Sequence, residues 1–138
     1  MTDALHATLY SLAAFFLLTW GGNLAVRILF RVTGLRASTE PADTDETPLP
    51  PAGRIIGWLE RVVLAAGILV QSWHIIAAVI ALKTVARFKE LDDKAFAEYF
   101  LVGSLFSIFW ALLVTGLWAL YDMTYGIGLG SLLIRAPD

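Results

Sequence analysis

Three long, predominantly apolar stretches limit what this chain can fold into. They cover residues 4–26, 62–82 and 99–121, and each contains at least 20 residues. At a rise of about 1.5 Å per residue, a helix of that length crosses the roughly 30 Å hydrocarbon core of a bilayer. The stretches lack two-residue alternation and are longer than the strands of a membrane barrel. The sequence therefore predicts an all-α integral membrane protein with three transmembrane helices.

The overall composition supports the same class and excludes several others. Apolar residues make up 58% of the 138 residues and charged residues 16%, whereas soluble domains have about 45–50% and about 25%. A net charge of −2 provides no basic surface for nucleic acid. The absence of cysteine excludes disulfides and thiolate metal sites. We expect a single membrane domain covering residues 1–138.

The polar segments around the apolar stretches set the expected boundaries. Helices are predicted at 4–34, 55–90 and 93–122. The intervening segment 36–53 contains four prolines and four acidic residues, a composition that favours an exposed linker. Residues 123–138 carry three alternating glycines and are too short to span, so they are predicted to form a tail at the membrane interface.

A charged segment separates the second and third apolar stretches. Lys83 and Arg87 come at the end of the second predicted helix, where cations favour the negative helix C-terminus. Asp92 or Asp93 is expected to cap the third helix, and oppositely charged pairs three or four residues apart, up to Glu98, favour a tight helical turn. The charges predicted to mark the membrane borders are Arg27, Arg31, Glu60, Lys83, Arg87, Asp93 and Glu98.

Small and polar residues recur on one face of each of the last two predicted helices. In the third helix they repeat every four residues, a pattern that lets membrane helices approach closely. In the second helix, Gln71 and His74 share a face with small residues. We expect these two side chains to hydrogen-bond to the third helix. The predicted packing residues are Gly67, Gln71, His74, Ala78, Gly103, Ser107 and Ala111.

His74 is the residue with the most chemical potential in the apolar stretches. It can hydrogen-bond a neighbouring helix, relay protons, or ligate haem or a pigment. A haem held by two histidines would need a second histidine at similar depth, but the other histidine, His6, is at the start of the first stretch. No carboxylate pair lies inside the stretches. The sequence predicts no catalytic site, no metal and no cofactor, with His74 as the residual cofactor candidate.

The segment "ALKTVARFKELDDKAFAEYFLVGSLFS", with "GRIIGWLER" upstream, resembles a block found in uncharacterised bacterial inner-membrane proteins. That block has an E-R opening, then A-K-S-x-x-R-F, a charged turn and A-E-Y-F-L-I-G-T-L-x-S. The departures are Leu82, Thr84 and Ser104. The resemblance covers residues 53–113 and implies a bacterial inner membrane, but no activity comes with it. The matching positions are Glu60, Arg61, Lys83, Arg87, Phe88, Ala97, Glu98, Tyr99, Phe100, Leu101, Gly103 and Ser107.

These patterns favour a non-enzymatic accessory or scaffolding subunit of a larger membrane assembly. The alternative is a homo-oligomeric channel or membrane-perturbing effector in which Gln71 and His74 face a pore. The expected partners are the lipid bilayer and either other membrane subunits or further copies of the chain. Six basic residues on one side of the predicted helices against four on the other indicate an N-terminus outside the cell and a cytoplasmic C-terminus.

Overall fold

The computed structural model describes residues 2–34 and 51–134, and these form helices and short connections without any strand. The first helical segment is continuous from Thr2 to Thr33. It consists of α1 (Thr2–Phe16), a π-helical turn (Leu17–Gly21) and α2 (Gly22–Thr33). Gly34 ends it with a φ of 67°, the left-handed conformation that glycine adopts readily at helix C-termini. Most of the predicted linker lies outside the described residues.

The predicted helix over 55–90 is wrong, because the structure divides it into α3 (Pro51–Leu69) and α4 (Trp73–Ala86). The chain reverses at Gln71, which has a φ of 54°, an uncommon conformation for a residue other than glycine. The Lys83 ammonium lies 2.8 Å from the Glu60 carboxylate, so α4 runs back along α3. We call this pair of helices the α3–α4 hairpin.

A short charged turn connects the hairpin to the last long helix. It contains a 3₁₀ segment (Phe88–Asp92) and leads into α5 (Lys94–Tyr125). Asp93 caps α5, because its Oδ1 accepts a 3.0 Å hydrogen bond from the Ala95 N–H. The predicted charged turn and its aspartate cap are therefore present. A final short helix, α6 (Leu129–Ile134), forms within the segment that was predicted as a tail.

The long helices are antiparallel, which gives the molecule two distinct ends. At the linker end, the Phe30 ring stacks on Tyr99 with centroids 4.3 Å apart. At the terminal end, His6 Nε2 lies 3.2 Å from Tyr121 Oη. The start of α1 and the end of α5 therefore share one end of the molecule. This differs from the predicted three-helix arrangement, in which the two chain ends lie on opposite sides.

The buried core lies midway between the two ends. It consists of five residues from three segments, namely Leu18, Leu64, Ala65, Ala111 and Val114. Within residues 2–34 and 51–134, two helical segments are long and apolar enough to cross a membrane, Thr2–Thr33 and Lys94–Tyr125, each of 32 residues. The apolar α4 has 14 residues and spans only about 21 Å.

Candidate functional site

Arg61 is a buried arginine on the face of α3 that packs against the first helical segment. Only 3% of the residue is exposed. Its Nη2 donates to the Thr19 carbonyl at 3.4 Å and to the Asn23 side-chain oxygen. Both acceptors are neutral, and the buried Nε has no hydrogen-bond partner. Burying a charged group is costly unless it is paired and hydrogen-bonded, so this site is incompletely compensated.

The π-helical turn supplies part of this arginine site. A π-helical turn widens the backbone hydrogen-bonding pattern, and such turns are frequent at functional sites. Here two carbonyls of the turn accept hydrogen bonds from neighbouring helices, Thr19 from Arg61 and Leu17 from the Trp110 indole at 3.1 Å. The turn therefore fixes α3 and α5 against the first helical segment through its own backbone.

Two glycines determine how closely the helices approach around Arg61. A Cβ at Gly22 would lie 2.8 Å from Arg61 Nε, so a side chain there would displace the guanidinium. Gly57 lies one turn before Arg61 and is half-buried. A Cβ at Gly57 would lie 3.6 Å from Arg61 Nη2 and 4.0 Å from Asn23 Oδ1. Gly57 therefore lies at ordinary contact distance from Arg61 Nη2 and Asn23 Oδ1, which are hydrogen-bonded to each other.

Glu60, next to Arg61 in sequence, forms an ion pair across the hairpin. Both of its carboxylate oxygens lie 2.8 Å from Lys83 Nζ. Lys83 also lies over the Phe100 ring, 5.7 Å from its centroid. Because Glu60 already neutralises Lys83, the group formed by Arg61, Glu60 and Lys83 keeps one net positive charge.

Asp122 is the second buried charged residue and lies at the terminal end, where it is 1% exposed. Its Oδ1 accepts a hydrogen bond from the Tyr10 hydroxyl, and its Oδ2 accepts one from the Gly130 N–H at 2.7 Å. A Cβ at Gly126 would lie 2.7 Å from the Asp122 backbone, so glycine is needed for the chain to turn there. Asp122 thus joins α1, α5 and the first turn of α6.

Aromatic side chains surround the Asp122 site. The Tyr10 ring lies 5.3 Å from the Tyr121 ring and 6.2 Å from the Trp118 ring. The Trp118 indole donates to Ser11 Oγ at 3.2 Å. These contacts connect α1 to α5 by several polar atoms that are already satisfied. The site is therefore suited to holding the terminal end together.

The predicted packing residues fall into two groups. Gly67, Ser107 and Ala111 are buried, and Gly103 faces the Phe30 ring, which a Cβ at that glycine would approach to 3.0 Å. The residues of the hairpin turn and α4 are exposed instead: these are Gln71, His74 and Ala78. Hydrogen bonds from Gln71 and His74 to α5 were expected, and the described residues do not form them. The reversal at Gln71 turns that face away from α5.

The charged residues that were predicted to mark the membrane borders lie in different environments. Glu60 and Lys83 pair with each other, and Asp93 caps α5. Arg87 lies over the Phe96 ring, 6.0 Å from its centroid. The others are exposed: Arg27, Arg31 and Glu98.

Sequence reasoning missed Arg61 and Asp122 as buried residues because each adjoins a polar segment in the sequence. One signal for Arg61 was available, since Asn23 is a polar residue inside the first apolar stretch. A second signal, for Asp122, was the set of three alternating glycines that follow it.

No group of three His, Cys, Asp or Glu residues that could hold a metal ion occurs within residues 2–34 and 51–134. No known family model, curated protein or solved structure matches this chain. The described residues offer a buried cation with neutral acceptors and a helical hairpin whose second helix has an exposed apolar surface.

Proposed function

We propose that the chain is a multi-pass membrane protein that acts as a non-enzymatic accessory or scaffolding subunit of a larger assembly. The two long apolar helical segments support the bilayer location. The observation that carries the scaffolding role is α4, an apolar helix without a buried residue. The exposed fractions of Trp73, Leu82 and Val85 are 75%, 75% and 74%.

One side of α4 packs against the core through Ile76 and Val79 and against α3, where a Cβ at Gly67 would meet Ile75 at 3.0 Å. The other side, which carries Leu82 and Val85, is suited to a partner helix. At about 21 Å the helix is shorter than the roughly 30 Å hydrocarbon core. A membrane helix of another subunit packing on Leu82 and Val85 would cover its outer side.

A photo-reactive amino acid at Leu82 tests this proposal in native membranes. We expect a crosslinked protein of discrete mass, identified by mass spectrometry as a different membrane subunit. Leu9 on α1 is a matched control, because 59% of it is exposed but it lies outside the hairpin. Crosslinks to lipid alone at both positions would contradict the scaffolding role.

The bilayer orientation follows from the positions of the basic residues. Arg27 and Arg31 at the end of α2 share the linker end with Lys89 in the charged turn and Lys94 at the start of α5. The positive-inside rule puts this end in the cytoplasm, with the start of α1 and the end of α5 outside. The chain has no cysteine, so a thiol reagent reacts only with a cysteine that is introduced at a chosen position. We expect an impermeant thiol reagent to label position 124 in intact cells and to leave position 89 unlabelled.

A homo-oligomeric channel is the second candidate. The observation in its favour is that Gln71 and His74 are exposed near the tip of the α3–α4 hairpin. Crosslinks from Leu82 to a second copy, together with ion conductance in liposomes that Gln71→Leu abolishes, would favour this candidate over the accessory subunit.

A further inference from the structure

We propose that the Asp122 carboxylate is an acid-sensitive attachment that holds α6 at the terminal end of the molecule and releases it when the carboxylate is protonated. This proposal goes beyond the accessory role and does not depend on it. Asp122 belongs to α5 and is 1% exposed, yet it bonds groups from α1 and from α6. Protonation of this one side chain therefore changes how three helices meet.

Each oxygen of the Asp122 carboxylate faces a donor. Oδ1 accepts a hydrogen bond from the Tyr10 hydroxyl, and Oδ2 accepts one of 2.7 Å from the Gly130 N–H. Donors on both oxygens stabilise the charged form of the group. A proton added to Oδ2 would point at the Gly130 N–H, which cannot accept it. A proton added to Oδ1 would require the Tyr10 hydroxyl to turn from donor to acceptor.

The short helix α6 depends on this carboxylate for its first turn. It has six residues, Leu129–Ile134, whereas isolated helices shorter than about 12–15 residues are marginal in water. The Gly130 N–H belongs to the first turn, where N–H groups have no partner inside the helix. Asp122 supplies the missing acceptor from α5, and its negative charge favours the positive N-terminus of α6.

Protonation of Asp122 weakens this attachment in two ways. A hydrogen bond to an ionised acceptor is roughly twice as strong as one to a neutral acceptor, so the Gly130 N–H is held less tightly. The attraction between the carboxylate and the N-terminus of α6 is also lost. A Cβ at Gly130 would lie 3.8 Å from the Trp118 ring, and α6 also lies beside α3. Release of α6 therefore uncovers the Trp118 ring and part of α3.

The other titratable groups around Asp122 do not produce the same response. The Tyr10 and Tyr125 rings lie 5.3 Å and 5.5 Å from the Tyr121 ring. Tyrosine hydroxyls keep their protons in acid. His6 Nε2 lies 3.2 Å from the Tyr121 hydroxyl. A positive charge gained by His6 in acid would attract the Asp122 carboxylate and oppose its protonation.

A nitroxide label on α6 tests the release in the purified chain in detergent. The chain has no cysteine, so Leu132→Cys carries the only label, at a position that is 65% exposed. We expect the ratio of mobile to immobile label to rise about tenfold from pH 7 to pH 3, as the weakening of a charge-assisted hydrogen bond implies. No change in this ratio would overturn the proposal.

A second label distinguishes release of α6 from unfolding of the whole chain. Val32→Cys puts the label at the linker end, at a position that is 80% exposed. We expect its mobility to stay constant over the same pH range. Equal changes at both positions would mean that acid unfolds the molecule as a unit, and the proposal would fail.

Variants assign the response to Asp122. Asp122→Asn has nearly the same shape and no charge, so we expect the Leu132→Cys label to be mobile at pH 7 as well as at pH 3. Asp3→Asn, which alters the exposed start of α1, and His6→Gln are controls that should keep the response to acid. An immobile label at pH 7 that is still released by acid in Asp122→Asn would overturn the assignment.

Tyr10→Phe serves if Asp122→Asn does not fold. This variant keeps the carboxylate and removes the hydrogen bond to Oδ1, so the charged form is less favoured. We expect the midpoint of α6 release to move to higher pH than in the wild type. A midpoint at the wild-type pH would show that the Asp122 carboxylate does not control the release.

Discussion

Among the residues whose burial is described, each end of the molecule buries one charged residue, and the two differ in how completely the chain hydrogen-bonds them. Asp122 at the terminal end is hydrogen-bonded by Tyr10 and by the Gly130 amide. Arg61 at the linker end has neutral acceptors on one nitrogen and an unpartnered Nε. A buried charge that its own chain satisfies contributes to the fold, because removing it orphans its partners. A buried charge that its own chain leaves incompletely hydrogen-bonded contributes less to stability.

Glycines allow close packing around both charges. Gly126 and Gly130 bring the chain tightly around Asp122, so the carboxylate is enclosed by its own backbone. Gly22 does the same at Arg61, because a Cβ there would lie 2.8 Å from Nε. The two sites therefore differ in the hydrogen bonds of the charged group and not in how closely the backbone surrounds it.

The largest expected effect comes from Asp122→Ala. The substitution leaves the buried Gly130 N–H without an acceptor and detaches the first turn of α6, so we expect a loss of about 2–3 kcal/mol. The free energy of unfolding in detergent, followed through the summed fluorescence of the five tryptophans, measures it. Asp3→Ala on the exposed start of α1 is the control. A loss below that of the control would mean that Asp122 is not part of the fold.

A smaller loss is expected when the ion pair of the hairpin is broken. Lys83→Met leaves Glu60, whose side chain is 10% exposed, without its cation. Because Lys83 is 28% exposed, solvent screening limits the expected cost to about 1–2 kcal/mol. The double variant Glu60→Gln with Lys83→Met should recover most of that loss. If the double variant is no more stable than Lys83→Met, the two residues do not interact in the folded protein.

The sequence predicted the helical class, the charged turn and the small residues of α5 for local reasons. Aspartate caps, four-residue spacing and apolar length are properties of neighbouring residues. The reversal at Gln71 is different, because the segment from Val70 to Ser72 contains neither glycine nor proline. The turn is closed locally, because the Gln71 N–H donates to the Ile68 carbonyl at 3.1 Å and the Ser72 N–H to the Gly67 carbonyl at 2.8 Å. The Glu60–Lys83 pair and the packing of Ile75 near Gly67 hold the two helices together, and these tertiary contacts exist only after the chain has folded back.

Arg61 and Asp122 escaped prediction for a related reason. Each lies at the edge of an apolar stretch, where an exposed charge is the ordinary expectation. Their burial depends on a π-helical turn in one case and on a six-residue helix in the other. Neither element has a distinct sequence pattern. Asn23 and the alternating glycines indicated a polar contact or a turn in these regions. They did not indicate that Arg61 or Asp122 would be buried there.

Removing the N-terminal cap of α5 is expected to cause a smaller, local loss of stability at the linker end. Asp93→Ala removes the acceptor of the Ala95 N–H and should cost about 1 kcal/mol. Asp92→Ala, one residue earlier in the same turn, is the control and should cost less than half as much. Thermal unfolding in detergent compares the two variants. Equal losses would show that general charge in the turn, rather than the cap, stabilises the start of α5.

The smallest expected effect, Arg61→Met, is the sharpest test of the comparison between the two ends. Methionine fills a similar volume and removes a buried cation whose charge the chain does not neutralise, and such replacements are often neutral or stabilising. Loss of the bond to Asn23 acts in the opposite direction, so we expect a change within about 1 kcal/mol in delipidated detergent. A loss as large as that of Asp122→Ala would show that Arg61 is a fold residue like Asp122, and the distinction between the two ends would fail.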